Sequence, residues 1–76
     1  MGSFYVEYDN YDNEWRAYED SVMDREFNHV YIDEFSPGGY GKVKVGSVYI
    51  DTDDIKEAFC KGVDLIRERM TDDIHN

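Results

Sequence analysis

The chain has 76 residues, which make one small domain and leave no room for a deep, walled active-site cleft. Hydrophobic residues make up 41% of it and aromatic residues 16%, so the chain is too apolar to remain disordered. Eighteen acidic residues against eight basic ones give a formal net charge of -10. This charge argues against direct binding to nucleic acid or to an anionic membrane, and it favours a basic partner.

The first segment of the chain predicts a β-hairpin. Residues 3–8 alternate apolar and polar side chains with the two-residue period of a half-buried strand. Residues 9–13 are rich in Asp and Asn, which stabilise turns through side-chain to backbone hydrogen bonds. Residues 15–18 then alternate as a short second strand that pairs back on the first.

The next segment predicts a third strand and a tight turn. Residues 20–27 fit a single helical turn about as well as a loop. Residues 28–35 alternate again and give the clearest strand pattern of the first half. The Ser-Pro-Gly-Gly sequence at 36–39 is typical of a tight turn, since proline fixes one backbone torsion and glycine permits a positive one.

A further strand is expected to return from this turn over residues 40–45, with Val43 and Val45 facing the core. Gly46 and Ser47 interrupt the alternation, which resumes after them. A β-bulge or a second tight turn is therefore expected at these two residues.

A helix is expected from about residue 52 to residue 70, followed by a frayed tail over 71–76. Its apolar residues recur at steps of three and four: Ile55, Phe59, Val63, Ile66 and Met70. Asp51 is expected to cap the helix by accepting a backbone N–H. Gly62 weakens a helix interior, so its presence predicts a close approach of the helix to the sheet.

These elements predict an α+β fold. A small antiparallel sheet of three to five strands, within residues 3–50, is covered on one face by one long C-terminal helix in a single domain of residues 1–76. The aromatic and aliphatic side chains expected in the core are Phe4, Val30, Ile32 and Phe59.

Motifs for catalysis and for metal binding are weak. The Asp-rich stretches that start at residues 9 and 51 lack the glycine and glutamate positions of an EF-hand. The two histidines and Cys60 have no zinc-ligand spacing, and the Gly-rich residues 38–42 do not lead into the helix N-terminus of a phosphate-binding loop. We therefore expect no enzymatic activity, no metal and no cofactor, and the single thiol indicates a reducing, cytoplasmic location.

The acidic residues are concentrated in the first half of the chain. Residues 1–41 hold ten acids and two bases, whereas residues 42–76 hold eight acids and six bases. A chain of this length should fold to a diameter of roughly 30 Å. Duplex DNA of that length carries about 18 phosphate charges, so ten excess carboxylates reach about half that density.

The acidic and aromatic stretch 7–14 (EYDNYDNE) and the stretch 51–54 (DTDD), together with the small size and low pI, resemble the small phage-encoded DNA-mimic inhibitors. The resemblance implies a phage protein that acts in the bacterial cytoplasm by occupying the DNA-binding surface of a host protein. An HU-type nucleoid protein is the first expected target. The sliding clamp, a restriction enzyme or a CRISPR nuclease would be blocked by the same mimicry.

An alternative from another class is an interaction module that pairs through a sheet edge or through its helix, with the charge serving solubility. The sequence does not decide whether the protein forms a homodimer.

In the DNA-mimic hypothesis, carboxylates take the places of phosphates and aromatic side chains add apolar contact. The expected carboxylates are Glu7, Asp9, Asp12, Glu14, Glu19, Asp20, Asp24, Glu26, Asp33, Glu34, Asp51, Asp53 and Asp54. The expected aromatic contacts are Tyr8, Tyr11 and Trp15.

Overall fold

The computed structural model describes residues 2–21, 25–39 and 41–75. Its elements are β1 (Ser3–Asp9), β2 (Glu14–Glu19), β3 (Val30–Phe35), a short 3-10 turn (Pro37–Gly39), β4 (Val43–Asp51) and α1 (Ile55–His75). Of the segment 20–27, which the sequence left open, residues 22–24 lie outside the described residues, and the others form no regular element.

The four strands form one antiparallel sheet in the order β2-β1-β4-β3, and α1 packs on one of its faces. The predicted α+β fold is thereby confirmed. β1 lies in the middle, where Val6 pairs with Ala17 of β2 and with Val48 of β4. The strands β2 and β3 are the two edges of the sheet.

The core lies between α1 and the sheet. Val6, Val48, Ile50 and Ile66 are buried almost completely. Burial of each such side chain contributes about 1.5–3 kcal/mol, so these residues account for much of the stability of a small domain. Phe4, Ala58 and Met70 complete the buried cluster.

Two glycines allow the helix to approach the sheet closely. A Cβ atom on Gly62 of α1 would lie 2.7 Å from the Cβ of Val6, and one on Gly46 of β4 would lie 2.8 Å from the Cγ2 of Ile66. Neither distance is compatible with a normal carbon contact. The predicted role of Gly62 is thereby confirmed.

The interruption predicted at Gly46 and Ser47 is absent. β4 runs through both residues in continuous register with β1 and β3. Because the strand keeps its two-residue period, Val43 and Val45 lie on the face opposite to Val48. Val43 is buried there, as predicted, whereas Val45 is only half-buried. Gly46 is a packing position for the helix rather than a bulge.

The helix differs from its prediction at both ends. It begins at Ile55 and continues to His75, beyond the predicted end at residue 70. Asp54 caps it, since its Oδ1 accepts the N–H of Lys56 at 3.0 Å, whereas Asp51 still belongs to β4. The predicted cap at Asp51 is therefore wrong.

The helix also presents a different face to the sheet. Its buried residues Ala58, Gly62, Ile66 and Met70 recur at steps of four. Phe59 is 37% exposed, so its predicted place in the core is wrong. Gly62 lets the helix approach Val6 of β1 closely, and Phe59 lies to the side, in a shallow depression beside Ala17 of β2.

Candidate partner-binding surface

One end of the sheet collects carboxylates from three elements. Because neighbouring strands are antiparallel, β1 begins where β2 and β4 end: Ser3 pairs with Asp51, and the N–H of Asp20 donates to the carbonyl oxygen of Ser3 at 3.0 Å. The turn into α1 follows directly. We call the resulting group of carboxylates the acidic rim; its members are Glu19, Asp20, Asp51, Asp53 and Asp54.

The carboxylates of the acidic rim are exposed, and within the described residues none of them lies within 4 Å of a basic group. Two of them accept backbone N–H groups: Asp53 from Gly2, and Asp54 from Lys56. Such bonds satisfy the carboxylate oxygens but leave the charge in place. The rim is therefore a concentration of negative charge that the surrounding described residues do not neutralise.

The opposite end of the sheet holds its carboxylates differently. We call this group the Arg16 cluster, and it consists of Arg16 with Glu7, Asp9, Asp12 and Glu14. Nη1 of Arg16 lies 2.8 Å from Asp9 Oδ2, and Nη2 lies 2.6 Å from Glu14 Oε2. Glu7 and Asp12 lie at 3.6 and 3.8 Å from the same guanidinium.

The Arg16 cluster favours the ionised forms of Asp9 and Arg16. The N–H of Asp12 and the guanidinium of Arg16 both donate to Asp9, and together they lower the pKa of the Asp9 carboxyl. The hydrogen bond to Asp9, with the nearby charge of Glu14, raises the pKa of Arg16. These four carboxylates therefore share one arginine and fix the β1–β2 hairpin.

The remaining predicted carboxylates are dispersed. Glu34 lies 3.1 Å from Nζ of Lys42 and 3.6 Å from Nζ of Lys44, and the hydrogen bond from Lys42 is the main reason why the pKa of Glu34 is lowered. Asp33 and Glu26 are exposed on β3 and on the loop before it. Asp24 lies outside the described residues.

The three predicted aromatic contacts do not lie together. Tyr8 and Trp15 stack with ring centroids 4.3 Å apart and pack against the core from the helix side. The guanidinium of Arg67 covers Trp15 at 5.6 Å. Tyr11 is 68% exposed at the hairpin turn, so it is the member of the three that is open to a partner.

Sequence reasoning missed a row of tyrosines on the face of the sheet that α1 does not cover. Tyr18, Tyr5 and Tyr49 lie side by side across β2, β1 and β4, with adjacent ring centroids 5.8 and 5.0 Å apart. The strand alternation contained the signal, since these tyrosines fall at the positions between the core residues. We call this side of the sheet the open face.

The carboxylate of Glu7 lies on the open face and accepts hydrogen bonds from two of these tyrosines. Glu7 accepts the hydroxyl of Tyr18 at 2.5 Å and that of Tyr5 at 3.1 Å. Burial, followed by contact with Glu7, raises the pKa of Tyr5 to about 12. The bond to Glu7 likewise raises the pKa of Tyr18. Both hydroxyls are therefore neutral donors at physiological pH, and Glu7 links the open face to the Arg16 cluster.

Within the described part of the chain, no group of three or more His, Cys, Asp or Glu side chains is arranged to hold a metal ion. None of its helices has the length and apolar character needed to cross a membrane. Cys60 is exposed on α1 with a free thiol.

Comparisons with protein-family models, with curated proteins and with solved structures give no match for this chain.

Proposed function

We propose that the protein is a DNA mimic, encoded by a phage, that binds a basic DNA-binding protein of the host cytoplasm and blocks its DNA-binding surface. An HU-type nucleoid protein is the first proposed target. The observation that carries the proposal is the acidic rim, whose five carboxylates have no basic partner within 4 Å among the described residues. Charge left unpaired in this way is available to lysines and arginines of another protein.

The amount of charge supports the same proposal. The protein measures 41 × 25 × 22 Å, and duplex DNA of the same 41 Å length carries about 24 phosphate charges. The net charge of -10 is about two fifths of that number. Self-repulsion at this density destabilises a compact domain, so solubility alone is a weak reason to maintain it.

The proposed mechanism is exchange of phosphates for carboxylates. The basic groups of the target would pair with the acidic rim, and the counterions held by both surfaces would be released. Tyr11 would add apolar contact from the other end of the sheet. Because counterion release depends on ionic strength, affinity should fall steeply as salt rises.

A competition assay tests this proposal. HU is bound to a labelled duplex, the protein is added, and DNA release is followed by fluorescence anisotropy at 50 and 200 mM salt. Release at near-stoichiometric protein is the expected result, and the direct affinity of the protein for HU, measured without DNA, should fall by about tenfold or more at the higher salt. Unchanged DNA binding at a large molar excess would remove HU as the target. The sliding clamp, a restriction enzyme and a CRISPR nuclease can then be tested in the same format.

A second candidate function is an interaction module that acts through a sheet edge. β3 is an edge strand, and Phe35 at its end is 49% exposed. Main-chain pairing to such an edge would depend little on the acidic rim. Binding to a partner that survives both high salt and reversal of the rim charges would favour this candidate over mimicry.

A further inference from the structure

The open face of the sheet contains a polar hollow beside the tyrosine row. It is an open depression of about 300 Å³ between β1, β4 and β3. Its lining residues are Tyr5, Arg25, Tyr31, Asp33, Ser47 and Tyr49. The lining thus combines three aromatic rings, one carboxylate, one serine hydroxyl and one arginine.

That arginine lies against the rings. The Cζ atom of Arg25 is 6.0 Å from the ring centroid of Tyr31 and 5.9 Å from that of Tyr49. Both distances are at the limit at which a guanidinium is attracted to an aromatic face. Among the described residues, no carboxylate lies within 4 Å of the Arg25 guanidinium, and its contacts there are with the two rings.

The hollow has the features of a site for a guanidinium. Tyrosine faces attract cations, and a planar guanidinium can stack on a ring while its N–H groups reach acceptors at the edge. Asp33 and the hydroxyl of Ser47 are such acceptors in the lining. An ammonium group would gain the cation–π attraction but not the stacking.

We propose that this hollow is an arginine-binding subsite, and that Arg25 occupies it in the free protein until an arginine of the basic partner displaces it. The inference rests on the proposed function for the source of the displacing arginine. Arg25 is exposed, and among the described residues its contacts with the two rings lie at the limit of cation–π attraction, which favours its displacement. An external arginine can bind only while Arg25 is out of the hollow, so its apparent affinity is lowered in proportion to the time that Arg25 occupies the hollow.

The test uses the full chain and a defined probe, the peptide acetyl-(Gly-Arg)3-amide, with acetyl-(Gly-Lys)3-amide as its counterpart. Binding is followed by NMR through the ring protons of Tyr31 and Tyr49. The variant is Arg25→Ala, and its matched control is Arg69→Ala, which removes the same charge from an exposed position on α1.

We expect Arg25→Ala to bind the arginine peptide about fivefold more tightly than Arg69→Ala, with shifts centred on the two rings. The lysine peptide should bind Arg25→Ala at least about threefold more weakly than the arginine peptide does. Adding Tyr31→Thr, which removes the ring but keeps a residue that favours strands in this edge strand, should remove the gain. Far-UV circular dichroism establishes that each variant is folded.

Equal affinities of Arg25→Ala and Arg69→Ala would overturn the proposal, as would ring shifts no larger than those of the exposed Tyr11. Equal binding of the lysine peptide would overturn the assignment to arginine. If the peptide fills the hollow but the protein does not release DNA from HU, the subsite stands and the proposed mimicry fails. If the protein releases DNA but the peptide never reaches the rings, mimicry stands and the subsite fails.

Discussion

The two ends of the sheet carry similar numbers of carboxylates but hold them in different ways. In the Arg16 cluster, four carboxylates surround one guanidinium at 2.6 to 3.8 Å. In the acidic rim, five carboxylates have no basic partner within 4 Å among the described residues. Negative charge therefore supports the fold at one end, and it is available for a partner at the other.

This difference explains why net charge alone is a poor guide to a binding surface. The acidic stretch 7–14 holds four acids and no base, yet much of its charge is used internally by Arg16. The acidic rim is assembled from segments far apart in the chain, the end of β2, the end of β4 and the turn before α1. Mutations at the two ends should consequently have opposite effects on stability.

The largest expected effect on stability follows from Arg16→Met, which keeps much of the side-chain volume and removes the charge. Four carboxylates then repel one another without a cation, so the midpoint of thermal unfolding should fall further than it does when any one of the four is neutralised. Arg69→Met, which removes an arginine from an exposed position on α1, is the control for loss of charge alone.

The pH dependence of this loss has a definite sign. The pKa of Asp9 is lower in the folded state, so its contribution to the free energy of unfolding is present above its unfolded pKa of about 3.9 and is lost as pH falls through the folded value. The difference between wild type and Arg16→Met should thus be largest above about pH 5 and shrink below pH 4. A difference independent of pH would contradict an electrostatic role for the cluster.

Asp9→Asn should cost about 1 kcal/mol in the free energy of unfolding, measured by urea denaturation. The variant keeps an acceptor for the N–H of Asp12 but loses the charged bond to Arg16. Asp12→Asn is the matched control in the same turn, because Asp12 lies 3.8 Å from Arg16 with a side chain 53% exposed, and it should cost less. Equal losses in the free energy of unfolding would show that the closer contact of Asp9 with Arg16 adds nothing to stability.

Neutralising the rim should stabilise the protein slightly. Glu19→Gln with Asp20→Asn removes two repelling charges and no ion pair, so the free energy of unfolding should rise by up to about 0.5 kcal/mol at low salt. The gain should shrink when salt screens the repulsion. Asp12→Asn with Glu14→Gln, at the Arg16 end, should change stability in the opposite direction. A change in stability of the same sign in both double variants would contradict the proposed difference between the two ends of the sheet.

The smallest expected effect concerns Tyr5. Its pKa of about 12 lies above that of a free tyrosine, so the associated stability is complete below about pH 10 and is lost as pH approaches 12. Ultraviolet titration should resolve one phenol that ionises near pH 12, and Tyr5→Phe should remove it. Tyr11→Phe, at an exposed ring, should leave that transition in place.

Much of the fold could be predicted from the sequence, because the two-residue alternation in β1, β2 and β3 is local and unambiguous. The path of β4 could not be predicted from the sequence. Gly46 has the appearance of a break in an isolated strand, and only the position of Ile66 on the helix explains it as a packing site. The same close approach at Gly62 displaced Phe59 from the predicted core.

Less of the candidate site could be predicted. The sequence gives the number of carboxylates but not which of them share a cation, since Arg16 reaches Asp9 only through the hairpin register. It likewise does not show that Tyr8 and Trp15 stack against the core. The tyrosine row was accessible in principle, because its members alternate with the buried residues of β1 and β4.

The most direct test of the proposed role of the acidic rim compares two charge reversals of equal size in the HU competition assay. Glu19→Lys with Asp20→Lys reverses two charges of the acidic rim. Asp64→Lys with Glu68→Lys reverses two charges on the exposed face of α1, where Asp64 lies about 14 Å along the helix from its start. The rim variant should lose DNA-displacing activity by about 10–100-fold, and the helix variant should lose severalfold less. Equal losses, or a larger loss in the helix variant, would contradict the proposed role of the acidic rim.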